Sequence, residues 1–267
     1  MTTNKKHVPV DVMKFFQLKD GLELHWAHAV NSHKKLQEAL SGKAMMLEAD
    51  VSLRPSDGIP IMAHPPDTES DLSLEQFLNE TIGTNKGIKL DFKSTAVIKP
   101  SLKILFDITS EQEVRIPVWI NADVLPGPCH KNTKCYDAVI DPHVFLSLCV
   151  KYYPSAVLSV GWTTGEHIFA EKDRYEWHFV KPMEDLLSDV SQPVTFPIRA
   201  NMIGSSMEQI IWLLSLSDQY TLTIWSTNFD EPNMKELVSL RNKVDKSRIF
   251  YDIPPDQKAK FVEELKH

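Results

Sequence analysis

The sequence predicts a (β/α)8 barrel. Short apolar segments alternate strictly with helical segments, which implies parallel strands joined by helical crossovers. Eight strand–helix pairs fit within 267 residues, and a (β/α)8 barrel typically takes about 250. An open doubly wound sheet is the competing fold, but the sequence has neither a Gly-x-Gly-x-x-Gly turn nor a P-loop. We therefore expect one domain over 1–267, with an N-terminal extension at 1–18.

The elements follow one another in order. Asn31 or Ser32 can cap the first helix, which should end before Ser41-Gly42, and Ser73 can cap the second. A loop rich in Pro, Asp and Gly is expected over 54–66. The predicted strands are 22–28, 44–51, 87–92, 117–122, 156–161, 194–199, 220–225 and 248–252. The predicted helices are 32–40, 72–80, 96–106 (or from Pro100), 142–151, 182–190, 207–216, 232–244 and 255–265.

Composition limits the classes of partner. The net charge of -7 disfavours nonspecific binding to nucleic acid or to anionic membranes, and no nucleic-acid-binding surface is evident. No apolar run approaches the length of about 20 residues that a membrane helix needs. The N-terminus lacks the apolar core of a signal peptide, so a cytoplasmic protein is expected. The oligomeric state is left open.

Two predicted strands carry acidic residues on one face. Alternation places Glu48 and Asp50 on the same face of the second strand, and Asp91 shares a face with Lys89 and Lys93 on the third. Because buried carboxylates need a cation, these three acids are candidate ligands for Mg2+ or Ca2+, both of which prefer oxygen donors. An ion-pair layer with the two lysines is the alternative.

Polar residues recur at the carboxyl ends of the predicted strands, where barrel enzymes place their catalytic groups. His28 follows the first strand and His64 lies in the loop after the second, so both are acid/base candidates. His25 and His33 are rivals, but His25 should face the opposite side of its strand and His33 belongs to a helix. Lys93 could stabilise charge on a phosphate oxygen. The predicted substrate-binding residues are Asn31, Lys89, Asn121, Trp162, Arg199 and Trp225.

Four short motifs resemble those of the phosphatidylinositol-phospholipase-C-like phosphodiesterases. The nearest branch contains the glycerophosphodiester phosphodiesterases and the spider-venom phospholipase D toxins. The motifs are Trp26-Ala27-His28-Ala29-Val30-Asn31, Leu47-Glu48-Ala49-Asp50-Val51, Ala63-His64 and Lys89-Leu90-Asp91-Phe92-Lys93. Together with Trp162-Thr163-Thr164-Gly165, they more closely resemble the menorin family, in particular its B-type members. This second resemblance covers essentially the whole chain.

The resemblance implies a TIM barrel of the phospholipase-C-like phosphodiesterase type. It also implies a divalent metal, most simply Mg2+, held by Glu48, Asp50 and Asp91, with His28 and His64 as the nucleophile or base and the acid. Glycerophosphodiesterases usually have Arg after the first His and Glu as the third acid, whereas this chain has Ala29 and Asp91. Lys89 adds a positive charge beside the cluster. These departures favour the toxin-like branch, in which a neighbouring hydroxyl attacks phosphorus to give a cyclic phosphate.

The expected function is a metal-dependent phosphodiesterase or phosphotransferase. Its substrate would be a small phosphodiester, such as a glycerophosphodiester or a lysophospholipid. A non-catalytic barrel that binds a phosphorylated ligand or a protein partner is the alternative from another class. A different metal-assisted hydrolase on the same scaffold is a third possibility, since fold alone does not decide function.

Overall fold

The elements of the chain come from a computed structural model that describes residues 8–112, 115–128, 139–164 and 173–267. Part of the predicted N-terminal extension, and Gly165 of the segment Trp162-Thr163-Thr164-Gly165, fall outside these residues. The strands are β1 Trp26–Ala27, β2 Met46–Leu53, β3 Pro60–Met62, β4 Gly87–Phe92, β5 Val118–Pro126, β6 Val157–Thr163, β7 Val194–Arg199, β8 Tyr220–Trp225 and β9 Ile249–Asp252. The helices are α1 Val12–Phe15, α2 His33–Ser41, α3 Leu74–Thr81, α4 Thr95–Gln112, α5 Pro142–Tyr152, α6 Trp177–Leu187, α7 Met207–Ser215, α8 Met234–Lys243 and α9 Pro255–Glu264.

The sheet has the strand order that the sequence predicts. Its order is β1-β2-β4-β5-β6-β7-β8-β9, and helices connect successive strands of this path. The additional strand β3 pairs only with β2. The fold class is therefore the predicted (β/α)8 barrel. Among the helices of the described residues, none combines the length and the apolar character needed to cross a membrane.

Several predicted elements are confirmed almost to the residue. Strands β4, β7 and β8 have the predicted bounds. Ser32 caps α2, because its side chain accepts a hydrogen bond from the backbone N–H of Lys35. Ser73 and Gln76 form a reciprocal capping box at the start of α3. Each of these two helix starts is fixed by a side chain that bonds to a residue three positions further along the chain.

Other boundaries were wrong. The predicted first strand at 22–28 is reduced to β1, because Gly21–Glu23 forms a 3₁₀ turn capped by Asp20, which accepts a hydrogen bond from the N–H of Leu22. The predicted loop over 54–66 contains β3, which pairs antiparallel with the end of β2. This hairpin closes through a hydrogen bond of 2.9 Å from the N–H of Arg54 to the carbonyl of Ile59.

Two helices are longer than predicted. Helix α4 begins at Thr95, next to the predicted start at residue 96, and continues to Gln112, past the predicted end at residue 106. Helix α6 begins at Trp177, before the predicted start at Pro182, and ends at Leu187 rather than at residue 190. Helix α4 runs through Pro100, and α6 runs through Pro182. The first turn of α6 is held by an edge-to-face contact between Trp177 and Trp212 of α7, whose ring centroids lie 5.4 Å apart. The extra N-terminal turn of α6, before the predicted start at Pro182, is thus the part of the helix that makes this tertiary contact.

The chain divides into two compact units. In the described residues, the first comprises the chain up to Phe16, Trp26–Asn121 and His143–Leu158, and the second Gln17–His25, Ala122–Pro142 and the chain from Ser159 onward. In the first unit, Leu47, Ala49 and Val51 of β2 are fully buried on one face. In the second unit, Trp162 packs on Tyr175 and Phe196. Every residue of the carboxylate site described below belongs to the first unit.

Candidate functional site

The three predicted metal ligands lie together. Strands β2 and β4 pair in parallel so that Glu48 lies opposite Lys89 and Asp50 opposite Asp91. One carboxylate oxygen of each acid lies within 4.8 Å of the other two. Glu48 is 2% exposed and Asp50 5% exposed. We call Glu48, Asp50 and Asp91 the carboxylate cluster. Its donor set suits a hard divalent cation, because all three residues offer oxygen ligands.

Lys93 lies directly against the carboxylate cluster. Its Nζ is 2.8 Å from Oδ1 of Asp50 and 2.6 Å from Oδ2 of Asp91. Burial alone would raise the pKa of Asp91, but the ammonium groups of Lys93 and Lys89 outweigh it and lower this pKa. Burial likewise opposes the charge of Lys93, but Asp91 and Asp50 raise its pKa. The predicted ion pairs with Lys93 are therefore present, and the lysine is held as a cation.

Two asparagines orient the aspartates of the cluster. Nδ2 of Asn31 donates to Oδ2 of Asp50 at 2.7 Å, and the N–H of Asp50 donates to Oδ1 of Asn31 at 3.0 Å. Nδ2 of Asn121 donates to Oδ1 of Asp91 at 2.7 Å. Both residues were predicted to bind substrate. The structure shows each of them hydrogen-bonded to a carboxylate, where it fixes the direction of the remaining lone pairs, and substrate binding by either residue stays a prediction.

His28 lies beside Glu48. Its Nδ1 is 3.5 Å from Oε2 of Glu48, and its side chain is 51% exposed. The same oxygen accepts a hydrogen bond of 2.8 Å from the N–H of Ala29. Ala29 has a φ of 54°, in the left-handed region that non-glycine residues rarely adopt. This turn lets the histidine and the following N–H share one carboxylate. Burial raises the pKa of Glu48, and nearby His28 opposes this rise only in part.

His64 follows the short strand β3 and is exposed. The N–H of its neighbour Ala63 donates to the carbonyl of Asp50 at 3.0 Å. This hydrogen bond ties the residue before His64 to a member of the carboxylate cluster. Nδ1 of His64 lies 2.6 Å from the carbonyl oxygen of Pro65. Since a carbonyl only accepts, Nδ1 donates this hydrogen bond, and Nε2 is the nitrogen left to exchange a proton.

Lys89 lies two residues before Asp91, on the same face of β4. It is 4% exposed, and its Nζ lies over the indole of Trp26, 6.0 Å from the ring centroid. The ring of Trp26 in turn meets Trp119 edge to face, with centroids 5.5 Å apart. The structure therefore buries Lys89 against an aromatic ring, on the strand face that carries Asp91.

The remaining predicted residues belong to the second unit. Trp162 is 2% exposed, and its indole N–H donates to the carbonyl of Phe179 at 2.8 Å. Arg199 is 3% exposed, and its Nη2 donates to Oδ1 of Asp230 at 2.8 Å. Its guanidinium also lies 5.2 Å from the ring centroid of Trp225. The structure shows packing and pairing within the protein for these residues, and their role in substrate binding stays a prediction.

Asp230 is the residue that sequence reasoning missed. Its carboxylate also accepts from Nδ2 of Asn201 at 3.2 Å and from the N–H of Thr227 at 2.8 Å. We call Arg199, Asn201, Thr227 and Asp230 the arginine cluster. Asp230 lies between β8 and α8, so no strand alternation could signal it. The only sequence signal is its spacing from Thr227, which fits a local turn in which an Asp side chain binds the backbone.

Comparisons with known proteins identify relatives of the chain. The model of the menorin N-terminal domain matches residues 20–258. Protein FAM151B of Homo sapiens is 45% identical over 251 residues, which cover 92% of this chain and 88% of that protein. These matches extend over nearly the whole chain and confirm the predicted B-type relationship.

Solved structures match the fold. A glycerophosphoryl diester phosphodiesterase from Parabacteroides distasonis has a TM-score of 0.54 at 13% identity, covering 96% of this chain and 92% of that one. A 2,3-dimethylmalate lyase of the PEP mutase/isocitrate lyase superfamily has a TM-score of 0.50 at 12% identity, covering 97% and 85%. At such low identity these structures establish a shared fold only. Fold and sequence together lead to one identification: the chain belongs to the menorin family, in its B-type branch.

Proposed function

We propose that this protein is a metal-dependent phosphodiesterase or phosphotransferase that acts on a small phosphodiester. The observation that carries the proposal is the carboxylate cluster, whose three oxygens lie within 4.8 Å of one another, with a histidine 3.5 Å from one member. A purely structural ion-pair layer has no need for a half-exposed imidazole at its edge.

Glu48, Asp50 and Asp91 would hold the metal, which we propose to be Mg2+ or Ca2+. The donor set fits, because the three groups are acidic oxygens, Asp50 and Asp91 are each oriented by an asparagine, and Glu48 by the N–H of Ala29. A bound divalent ion supplies positive charge that neutralises phosphate oxygens.

The two histidines would transfer protons. One imidazole takes the proton of the attacking hydroxyl as its oxygen bonds to phosphorus, and the other gives a proton to the leaving oxygen as its bond to phosphorus breaks. In hydrolysis the attacking hydroxyl belongs to water, and in cyclising transfer to the substrate itself. Nε2 of His64 is free to exchange a proton because Nδ1 is engaged by Pro65.

Lys93 would support the phosphate. An ammonium has three N–H donors, and Asp50 and Asp91 engage two of them. The third can donate to a non-bridging phosphate oxygen, where charge increases in the transition state. The two carboxylates would fix the position of the ammonium before substrate arrives.

The test is turnover of a phosphodiester panel followed by 31P NMR, with glycerophosphodiesters, lysophospholipids and nucleotide diesters. We expect turnover that requires Mg2+ and stops with EDTA. A cyclic phosphate product would identify transfer, and a monoester would identify hydrolysis. His28→Ala should reduce turnover by a factor of about 10²–10⁴, the usual contribution of a general acid or base.

His178→Ala is the matched control. His178 is 64% exposed and lies 3.4 Å from Glu176, so it resembles His28 in exposure and partner but lies in the second unit. Its loss should leave turnover unchanged. Full activity in His28→Ala would remove His28 from the mechanism. Mg2+ binding without turnover of any diester would instead favour a barrel that binds a phosphorylated ligand.

A further inference from the structure

Two lysines, not one, compensate the carboxylate cluster. Lys93 contacts Asp50 and Asp91 directly. Lys89 is buried on the same face, opposite Glu48 and two positions before Asp91. Its charge acts on both of these acids, lowering the pKa that burial alone would give each of them. The buried group therefore contains three carboxylates and two ammonium groups, which leaves one net negative charge when every acid is ionised.

The residual negative charge sets the charge of the metal-loaded site. Metal ligands are ionised when the metal is bound, so one divalent ion would change the charge of the group from -1 to +1. A low-dielectric site is most stable when its charges balance. A phosphodiester carries a single negative charge and would bring the total to zero. A phosphomonoester is a dianion above its second pKa of about 6 and would leave the site negative.

We propose that Lys89 is the specificity-determining residue that sets this charge, so that the site takes one divalent ion and prefers a singly charged phosphodiester over a phosphomonoester dianion. The inference rests on the proposed function and deepens it. Lys89 need not touch the substrate, since its charge acts through the buried group. Burial favours this role, because Lys89 is 4% exposed and its ammonium lies over the ring of Trp26, so little water screens its charge.

The test is a pair of affinities measured at pH 8, where an ordinary imidazole is neutral and a phosphomonoester is a dianion. Mg2+ binding is measured by calorimetry. Dimethyl phosphate and methyl phosphate are then titrated into the Mg2+-loaded protein by 31P NMR. Lys89→Met should bind Mg2+ about tenfold more tightly and dimethyl phosphate about tenfold more weakly, because a unit charge acts in opposite directions on the two ligands.

Opposite shifts cannot arise from general damage to the fold, which would weaken both affinities. Lys89→Arg keeps the charge and should return both affinities towards the parent values. Lys86→Met is the matched control, since Lys86 is also buried in the first unit but its Nζ donates to the carbonyls of Gly42 and Ala44, at 3.0 and 2.6 Å. In Lys86→Met, the ratio of Mg2+ affinity to dimethyl phosphate affinity should equal that of the parent protein.

Unchanged affinities in a folded Lys89→Met protein, or equal effects of the Met and Arg substitutions, would overturn the proposal. The parent protein gives a second test that does not depend on the folding of a variant: it should bind dimethyl phosphate more tightly than methyl phosphate, and the reverse order would also overturn it. The affinity shifts without turnover would retain the role of Lys89 and remove the enzymatic function. Turnover without these affinity shifts would retain the enzymatic function and remove the role of Lys89.

Discussion

The carboxylate cluster and the arginine cluster both bury acids beside cations, but they differ in what remains unsatisfied. Asp230 accepts bonds on both oxygens, from the guanidinium of Arg199, from Asn201 and from Thr227, so its lone pairs are occupied. One acid meets one base there. In the carboxylate cluster, by contrast, three acids share two lysines, and their oxygens converge within 4.8 Å.

The difference separates two roles for buried charge. A saturated, neutral pair such as Arg199 and Asp230 has little left to offer a ligand, and its removal should affect folding. Carboxylates whose oxygens converge and keep a net negative charge are stabilised when a cation binds between them. Strand ends carry polar residues in both places, so position along a strand does not distinguish the roles. The roles are distinguished by whether the carboxylate oxygens are already saturated by hydrogen bonds within the protein.

The largest expected effect concerns the arginine cluster. Asp230→Asn should lower the free energy of unfolding by about 3–5 kcal/mol, because it leaves the guanidinium of Arg199 buried without a counter-charge. Urea denaturation followed by circular dichroism measures this loss. Mg2+ affinity should not change, and a change would show that the two clusters do not have separate roles.

The exposed pair of Arg174 and Glu176, at 3.2 Å, provides the control for this loss. Glu176→Gln should cost less than about 1 kcal/mol, since solvent screens the pair. Replacing both Arg199 and Asp230 by apolar residues should recover much of the stability lost in the single variant. A double variant as unstable as Asp230→Asn would mean that hydrogen bonds to Asn201 and Thr227, and not charge, dominate.

A smaller effect is expected for metal binding at the carboxylate cluster. Asp50→Asn should weaken Mg2+ binding about 100-fold, because it removes the charge of a ligand and one of the two oxygens that accept from Asn31 and Lys93. Calorimetric titration measures the change. Asp57→Asn alters an aspartate that pairs with Arg54 at 3.2 Å and should bind Mg2+ as the parent does. Parent-like affinity in Asp50→Asn would remove Asp50 from the ligand set.

The smallest effect is a pH dependence in the second unit, where Asp20 pairs with Arg241 and accepts from the N–H of Leu22 at 2.9 Å. Burial alone would raise the pKa of Asp20, but these hydrogen bonds lower it. A lowered folded-state pKa contributes stability above the unfolded value of about 3.9, and this stability is lost as pH falls through the folded pKa. Asp20→Asn should cost about 1–2 kcal/mol at pH 6 and progressively less below pH 4.

Chemical denaturation at a series of pH values tests this expectation. Arg241→Met removes the same interaction from the other side, so it should flatten the same acid limb of the stability curve. A cost of Asp20→Asn that is as large at pH 3 as at pH 6 would show that its carboxylate charge contributes nothing to the pair.

The alternation in β2 and β4 predicted that Glu48 and Asp50 share a face and that Asp91 shares one with Lys89, and the strand register confirms both. The position of His28 against Glu48 depends on the positive φ of Ala29, which a chain of L-residues gives no reason to expect. The predicted substrate-binding residues Arg199 and Trp162 found partners inside the protein that their local sequence does not reveal.

The sequence by itself determined the (β/α)8 order of elements, the acidic faces of two strands and the family, because period-two alternation, helix caps and motifs are local properties of the chain. Only the tertiary structure decided which charges meet. Lys93 reaches Asp50 across 43 sequence positions, and Asp230 reaches Arg199 across 31. Such partners are selected by the register of strands and by the packing of loops, which depend on contacts between residues distant in the chain.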